Sequence, residues 1–442
     1  MTNSSADAYN GIVLFMPTRN RAEIAMQSID LLLETPYPDV NLLISDNSTD
    51  EVQAQRLQTY CRNKDNPCLH YIRPPLPLSM AANTDWLMGQ ALERFPANHF
   101  VCQWDRMVLK PEAFAVLRQM ALLYPSQICT FQWDHVLDAE QPITLRQHPW
   151  TGQLLEVKSE HLLWLAAQSR EQFAPKMTNC LMPRSVIQAV HTRFGSYCDS
   201  ITADICFGYR SLALVDSVII YDKALAVTYG LARSNAHSQQ QGFYNQDTKD
   251  FLANLQQHNE ALNWAAPIPE AIITGNQTVH EYCVVKKEMQ SDRFSDMNQE
   301  AYLEMLAAGT RLIQNPEARK EMEILLAKHN RNLSTMPEQS SASSGGSSNV
   351  KKFIKSLIYS PVSKLFWMSM ARTTGMGLPL DQKFTFRSSR EALDCALHYP
   401  AQRVGHNHFL KDLFTDPAGV TILDNSKLQK IHEVNKLKKI LN

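Results

Sequence analysis

Ile12-Val-Leu-Phe-Met16 is a run of five apolar residues with no polar alternation. Such a run predicts a strand covered on both faces. Pro17 stops it, Asn20 reads as a helix cap, and Ala25, Ser28, Ile29 and Leu32 recur at helical spacing. Pro36 and Pro38 end that helix, and Val40 to Ile44 forms a second apolar run that leaves through the polar turn Asp46-Asn-Ser-Thr-Asp50. A right-handed crossover makes the two strands parallel neighbours. Both polar turns, 17–21 and 46–50, then open at one carboxyl edge of the sheet, the edge at which ligands sit in open α/β folds.

The same alternation of strand and helix continues. Helices are predicted over Glu51–Arg62, from Leu78-Ser-Met-Ala-Ala-Asn83 through Ala91, over Pro111–Leu123 and over His161–Gln168. Strands are predicted at Leu69–Arg73, around His99–Leu109, at Ile128–Trp133, at the start of Thr178–Arg184, within Leu212–Ile220 and at Asp222–Tyr229. Asp134-His135 reads as a surface turn. Polar helices follow at Gln246–His258, Pro269–Thr274, Gln299–Leu312 and Pro316–Asn330. The pattern divides the chain into an α/β unit (1–238), a helical appendage (239–333), a Ser/Gly linker (334–349) and a C-terminal helical region (350–442). In the last, Phe353, Ile354, Leu357 and Ile358 share a helical face largely separate from Lys351, Lys352 and Lys355. That composition suits a peripheral contact with an anionic membrane through 350–370, or equally a helix docked on its own chain. Ser388–His398 and Lys427–Leu441 read as amphipathic helices, with the short run Val420–Leu423 between them.

Composition narrows the class without naming a reaction. The 442 residues carry 43 Lys and Arg against 44 Asp and Glu, a net charge of −1, so no global field points to nucleic acid. Nine scattered cysteines, with no Cys-x-x-Cys pair, read as reduced core residues. The polar start Met1–Asp7 does not read as a signal peptide, and no run of 18 apolar residues spans a membrane. The expected location is the cytoplasm, with the inner face of the membrane as a peripheral site.

Pro17-Thr-Arg-Asn-Arg21, an amphipathic helix, and a strand ending Asp46-Asn-Ser-Thr-Asp50 together resemble the N-terminal signature of family 2 glycosyltransferases with the GT-A fold. The resemblance covers roughly the first half of the chain. It implies an α/β, nucleotide-diphospho-sugar-transferase-like fold with a mostly parallel sheet flanked by helices. It also implies that Pro17, Thr18, Arg19, Asn20 and Arg21 wrap a nucleoside, with Asp46 and Ser48 at the base or ribose. Asn83 matches a family Asn that passes near the donor diphosphate; otherwise it is a helix-start residue. A Gly-x-Gly-x-x-Gly turn is absent, which disfavours a dinucleotide-dependent dehydrogenase.

In the family a strand then ends in an Asp-x-Asp motif, whose carboxylates hold a divalent ion against the diphosphate. Here the element is Gln103-Trp-Asp-Arg-Met107, with the single carboxylate Asp105. Three readings stay open. Asp105 binds Mn2+ or Mg2+ with a distant ligand such as His237; Arg106 replaces the ion as a fixed positive charge; or the chain binds nucleotides without catalysis. The segment Phe194–Arg210 resembles the stretch in which a Pro-Asp pair opens a helix lining the acceptor site, with Ala203 in place of the Pro. Asp204 is thereby the candidate base of an inverting transfer, ionised by the helix N-terminus, and Asp199 is its rival. Its bland reading is a helix cap. Arg233 and His237 are candidates for a late phosphate or metal ligand.

The resemblance thus implies transfer of a sugar from a nucleotide-sugar donor to a hydroxyl of a glycan, lipid-linked or protein acceptor. A catalytically silent nucleotide- or glycan-binding module is the alternative. A nucleotidyltransferase is weaker, because a Gly-rich basic phosphate loop near the N-terminus is missing.

Overall fold

The structure is a computed structural model. It describes residues 9–34, 37, 39–138, 143–230, 233–329 apart from 245, 259, 261 and 263, then 378–379, 388–401, 403–404 and 408–431. The linker 334–349 and the basic stretch 350–370 lie outside the described residues, as do Pro36, Pro38 and most of 427–441.

The first half alternates as its apolar runs predict: β1 (Ile12–Thr18), α1 (Ala22–Leu33), β2 (Val40–Asp46), α2 (Glu51–Asn63), β3 (Leu69–Ile72), α3 (Met80–Arg94) and β4 (His99–Cys102). β5 (Met107–Leu109), α4 (Ala113–Leu123), β6 (Cys129–Leu137), β7 (Thr144–Arg146), β8 (Leu154–Lys158) and α5 (Ser159–Ala167) follow. Next come β9 (Cys180–Pro183), α6 (Arg184–Phe194), α7 (Ala203–Leu214) and β10 (Ser217–Thr228). The helices α8 (Asn235–Gln241), α9 (Gln246–Gln257), α10 (Thr274–Met289), α11 (Gln299–Arg311) and α12 (Pro316–His329) then succeed one another. Beyond residue 377 the described elements include β11 (Leu378–Pro379), α13 (Ser389–His398) and β12 (Val420–Leu423).

The sheet runs in the order β12-β8-β10-β6-β9-β4-β1-β2-β3. β1 pairs in parallel with β2 and β4, and β2 with β3. β6 and β10 are parallel to each other, and β9 and β8 run against their neighbours. Most strands of this path therefore point the same way, as expected of the α/β class, and Thr18 lies level with Asp46 in the register. The pleat divides β1 between two cores. Val13 and Phe15 face the side covered by α3, α5, α6 and α7, whereas Ile12, Leu14 and Met16 face α1 and α4. This double burial is why β1 shows no alternation in sequence.

Local readings differ from the structure in four places. Asn20 is not the cap of α1; Arg21 holds that position, and Asn20 sits at φ +53° in the left-handed region. Asp134 and His135 lie inside β6 rather than in a surface turn. Lys110 Nζ pairs with the fully buried Asp134 at 2.8 Å, and the His148 amide donates to the same carboxylate at 2.9 Å. The His135 ring accepts from Trp133 Nε1 at 2.6 Å, and burial lowers its pKa to about 3, so it stays neutral. Residues 269–273 are not helical; the helix begins at Thr274, sixteen residues long, and packs on α7. Finally, Ser217–Thr228 is one strand with two irregularities in its pairing with β6, not two elements.

Among the described residues no helix is long and apolar enough to cross a membrane. The nine cysteines are all free thiols, and seven of them are buried.

Candidate functional site

The two polar turns interlock at the carboxyl edge. Asn20 takes the left-handed conformation, which Asn tolerates better than most residues. Its backbone N–H donates to Ser48 Oγ at 2.8 Å, and its side-chain oxygen accepts from the amides of Thr49 and Asp50, both at 3.0 Å. Asn20 therefore clasps turn 46–50 instead of starting α1. Asn47 extends the scaffold: its side chain donates to and accepts from the backbone of Leu78, both at 2.9 Å. Arg19 Nη1 also donates to Leu78 O, at 3.1 Å.

Behind this scaffold lies a cavity of about 260 Å³. Pro17, Thr18, Arg19, Asn20 and Arg21 line it together with Asn83, Asp105, Arg106 and Asp204. Stations spread over nearly 190 positions of sequence thus share one cleft. Asn83 occupies the first turns of α3, buried, and accepts from Ser45 Oγ at 2.8 Å.

Other candidates stand elsewhere. Asp46 is fully buried beneath the turn, where it accepts from Tyr71 Oη at 2.9 Å and from the Ser48 amide at 3.0 Å. Neither Asp46 nor Ser48 is part of the cavity lining; they shape the turn. Asp199 is exposed and pairs with Arg210 at 2.7 Å, away from the lining. His237 and Arg233 also lie outside the lining, while Ser234, Asn235 and Ala236 contribute to it.

The turn between β4 and β5 carries the charges. Asp105 is buried; Thr18 Oγ1 donates to its Oδ2 at 2.8 Å, and Arg21 Nη1 lies 3.7 Å from its Oδ1. From behind, Ser28 Oγ of α1 donates to the Asp105 carbonyl at 2.5 Å. Ser28 in turn meets Ser389 Oγ of α13 at 3.4 Å, and Ser389 is hydrogen-bonded to the Tyr229 hydroxyl. Arg106 stacks over Trp104, 5.5 Å from the ring centroid, and donates to Ser234 Oγ at 3.2 Å. Burial lowers the pKa of Arg106, and the nearby Arg21 charge adds to the effect; burial also lowers that of Arg19. An arginine so far from neutral pH remains cationic, so the cleft gathers three partly desolvated guanidiniums.

Asp204 is the second residue of α7. Burial pushes its carboxyl up to about 6, against the Lys176 charge and the backbone amides of the helix start. The helix N-terminus therefore does not dominate; desolvation does. A carboxyl with that midpoint is still roughly nine-tenths ionised at pH 7.

The lining also draws on helices that the sequence pattern set apart as an appendage. Gln239 of α8, Asp250, Phe251 and Asn254 of α9, and Gln277 of α10 line the cavity. Gln277 Nε2 donates to Gln239 Oε1 at 2.7 Å, and the side-chain oxygen of Asn235 is buried without a hydrogen-bond partner. No periodicity marks these amides, because polar residues are unremarkable on a polar helix; only the packing of α8 to α10 turns them inward.

Among the described residues no three His, Cys, Asp or Glu side chains converge in a way that would hold a metal ion. Asp105 is already engaged by a hydroxyl and a guanidinium.

No protein-family model and no curated protein matches the chain. Solved structures similar to it include S. aureus TarS 1–349, at 13% identity and a TM-score of 0.39 over 71% of this chain and 83% of that one. The same protein in complex with UDP-GlcNAc is 15% identical, with the same TM-score and coverage. A further S. aureus TarS structure is 12% identical, with a TM-score of 0.39 over 72% of this chain and 53% of that one.

Proposed function

We propose that the chain is a glycosyltransferase that moves a sugar from a nucleotide-sugar donor to a hydroxyl acceptor, with inversion at the anomeric carbon. One observation carries this reading: a single cleft is lined by three guanidiniums and by Asp204, a buried carboxylate with a midpoint near 6, together with Asp105 and Asp250. The interlocked turns 17–21 and 46–50 supply a rigid edge for a nucleoside. Arg19, Arg21 and Arg106 face the diphosphate, whose charge grows as it departs. Neutral amides of Gln239, Asn254 and Gln277 offer both donors and acceptors, which suits sugar hydroxyls.

Asp204 accepts the proton of the acceptor hydroxyl. The freed oxygen lone pair attacks the anomeric carbon, and the bond from that carbon to the phosphate oxygen breaks. The electron pair leaves with the nucleoside diphosphate, held by the arginines. A base with a midpoint just below the working pH is ionised yet basic enough to take a proton. Within this reading the guanidiniums meet the diphosphate charge and Asp105 orients Arg21, so a divalent ion is not required.

The test is release of nucleoside diphosphate from a panel of UDP-, GDP- and CDP-sugars, UDP-GlcNAc among them, with an oligosaccharide acceptor, with Mn2+ or with a chelator. Turnover that survives the chelator is expected, and Asp204→Asn should reduce it by about 10² to 10⁴-fold while leaving nucleotide binding intact. Failure of every nucleotide to bind would remove the reading. Metal-indifferent nucleotide binding without any diphosphate release would instead favour a silent binding module, a reading supported by the engaged state of the lone Asp105.

A further inference from the structure

The loop leading into α7 does not cap its own helix. Thr202, the residue before α7, makes no side-chain cap, and its buried hydroxyl has no hydrogen-bond partner. Two consecutive residues of α10 hold the loop instead. His280 Nε2 and Ser200 Oγ lie 3.1 Å apart, and Glu281 Oε1 accepts the Thr202 amide at 2.7 Å. Glu281 is fully buried, and its second oxygen, Oε2, has no hydrogen-bond partner. Thr202, Ala203 and Asp204 are consecutive and all line the cleft.

We propose that Glu281 is the positioning residue for Asp204: by holding the Thr202 amide it fixes the first turn of α7 and keeps water from the Asp204 carboxyl. The proposal rests on the reading of Asp204 as the reacting carboxylate, but its physical content does not depend on any substrate.

Glu281 does this as a neutral acid. Burial raises its carboxyl to about 8, against the pull of the Thr202 amide and of the Ser200 and Thr202 hydroxyls, and the charge of Asp204 adds to the rise. The other titratable groups around it are on α7 and α10. Cys206 and Tyr209 are buried thiol and phenol groups raised well above their ordinary values, and His280 is lowered to about 4 by burial. Arg210, one turn further along α7, is committed to Asp199 and Glu288 at 2.7 and 2.9 Å. None of these supplies a positive charge in direct contact with Glu281, and a proton does so instead.

The experiment follows the Asp204 side chain by carbon-13 NMR of Asp-labelled full-length protein, with its signal assigned by its loss in Asp204→Asn. In wild type it should titrate near 6. Glu281→Gln keeps an oxygen for the Thr202 amide and should leave that midpoint within a few tenths of a pH unit. Glu281→Ala removes the acceptor and should drop the midpoint by about one unit, about tenfold in the ionisation constant. Glu281→Asp, one methylene short, provides the same test with a milder change if the Ala variant fails to fold, and should move the midpoint in the same direction. An Asp204 midpoint unmoved in the folded Ala or Asp variant overturns the proposal, as does a Gln variant as shifted as Ala. If diphosphate release proves absent altogether, the NMR result still decides the positioning role.

Discussion

Asp204 and Glu281 both hold their protons more tightly than solvated carboxyls, and this has a consequence for stability that needs no substrate. A carboxyl raised in the folded state stabilises the fold fully below its unfolded pKa and loses that contribution as pH rises through the folded value. For Glu281 the window runs from about 4.5 to about 8, and for Asp204 from about 3.8 to about 6. The lowered histidines His135 and His280 act in the opposite direction, but their windows close by about 6.5. Between pH 6.5 and 8 the Glu281 slope therefore stands clear of them. Thermal melts of wild type should fall across that interval, and Glu281→Gln should flatten the slope. A wild-type curve that is flat or rising there would contradict a buried neutral Glu281. At this scale the sequence was partly legible. Thr18, Arg19, Asp105 and Asp204, which the family resemblance singles out at strand and helix ends, all line the cleft. Glu281 and the amides of Gln239, Asn254 and Gln277 could not, because their burial arises from helices meeting far from one another in the chain.

Among the elements, α7 is the one whose placement decides the cleft, since Asp204 stands on its first turn. Gly208 sits in the middle of it, and a Cβ there would lie 1.9 Å from the carbonyl oxygen of Pro175. Backbone cannot yield as a flexible side chain can, so Gly208→Ala forces α7 away from the 175–176 segment. Overpacking of this kind costs about 1–3 kcal/mol. Denaturant unfolding should show that loss, and the Asp204 titration should shift with it; an unchanged midpoint and unchanged stability would mean that α7 has room to spare. The strands β1 and β2 were readable from uninterrupted apolar runs, because parallel strands buried on both faces leave that mark. By contrast α10 was missed. Buried along much of its circumference by α7 and α11, it mixes Asn276, Gln277, His280 and Glu281 with apolar residues, and no amphipathic stripe appears. β6 was cut short for a related reason: Asp134 and His135 look like turn residues until Lys110, Trp133 and Thr228 are placed around them.

For the whole molecule, two described segments after the Ser-rich run, 388–399 and 420–423, pack on the same sheet as the first strands. α13 buries Ala392, Leu393, Cys395 and Ala396 with Val108, Val136 and Val227, and β12 pairs with β8 along four residues. A protease site inserted between Ser340 and Ser348 should therefore cut the chain without releasing its C-terminal part. After cleavage the two fragments should co-elute in size exclusion, whereas separation under native conditions would show that these contacts hold little. The sequence suggested a linker and a separate helical region, which follows from composition alone. Pairing across hundreds of residues leaves no local trace.

The contact of Ser389 with Ser28 and Tyr229, behind the carbonyl of Asp105, joins positions 361 residues apart. A nascent chain emerges from the ribosome in order, so the floor beneath Asp105 stays unfinished until Ser389 has been made. Premature termination anywhere before α13 leaves the arginine-bearing turn without this last brace.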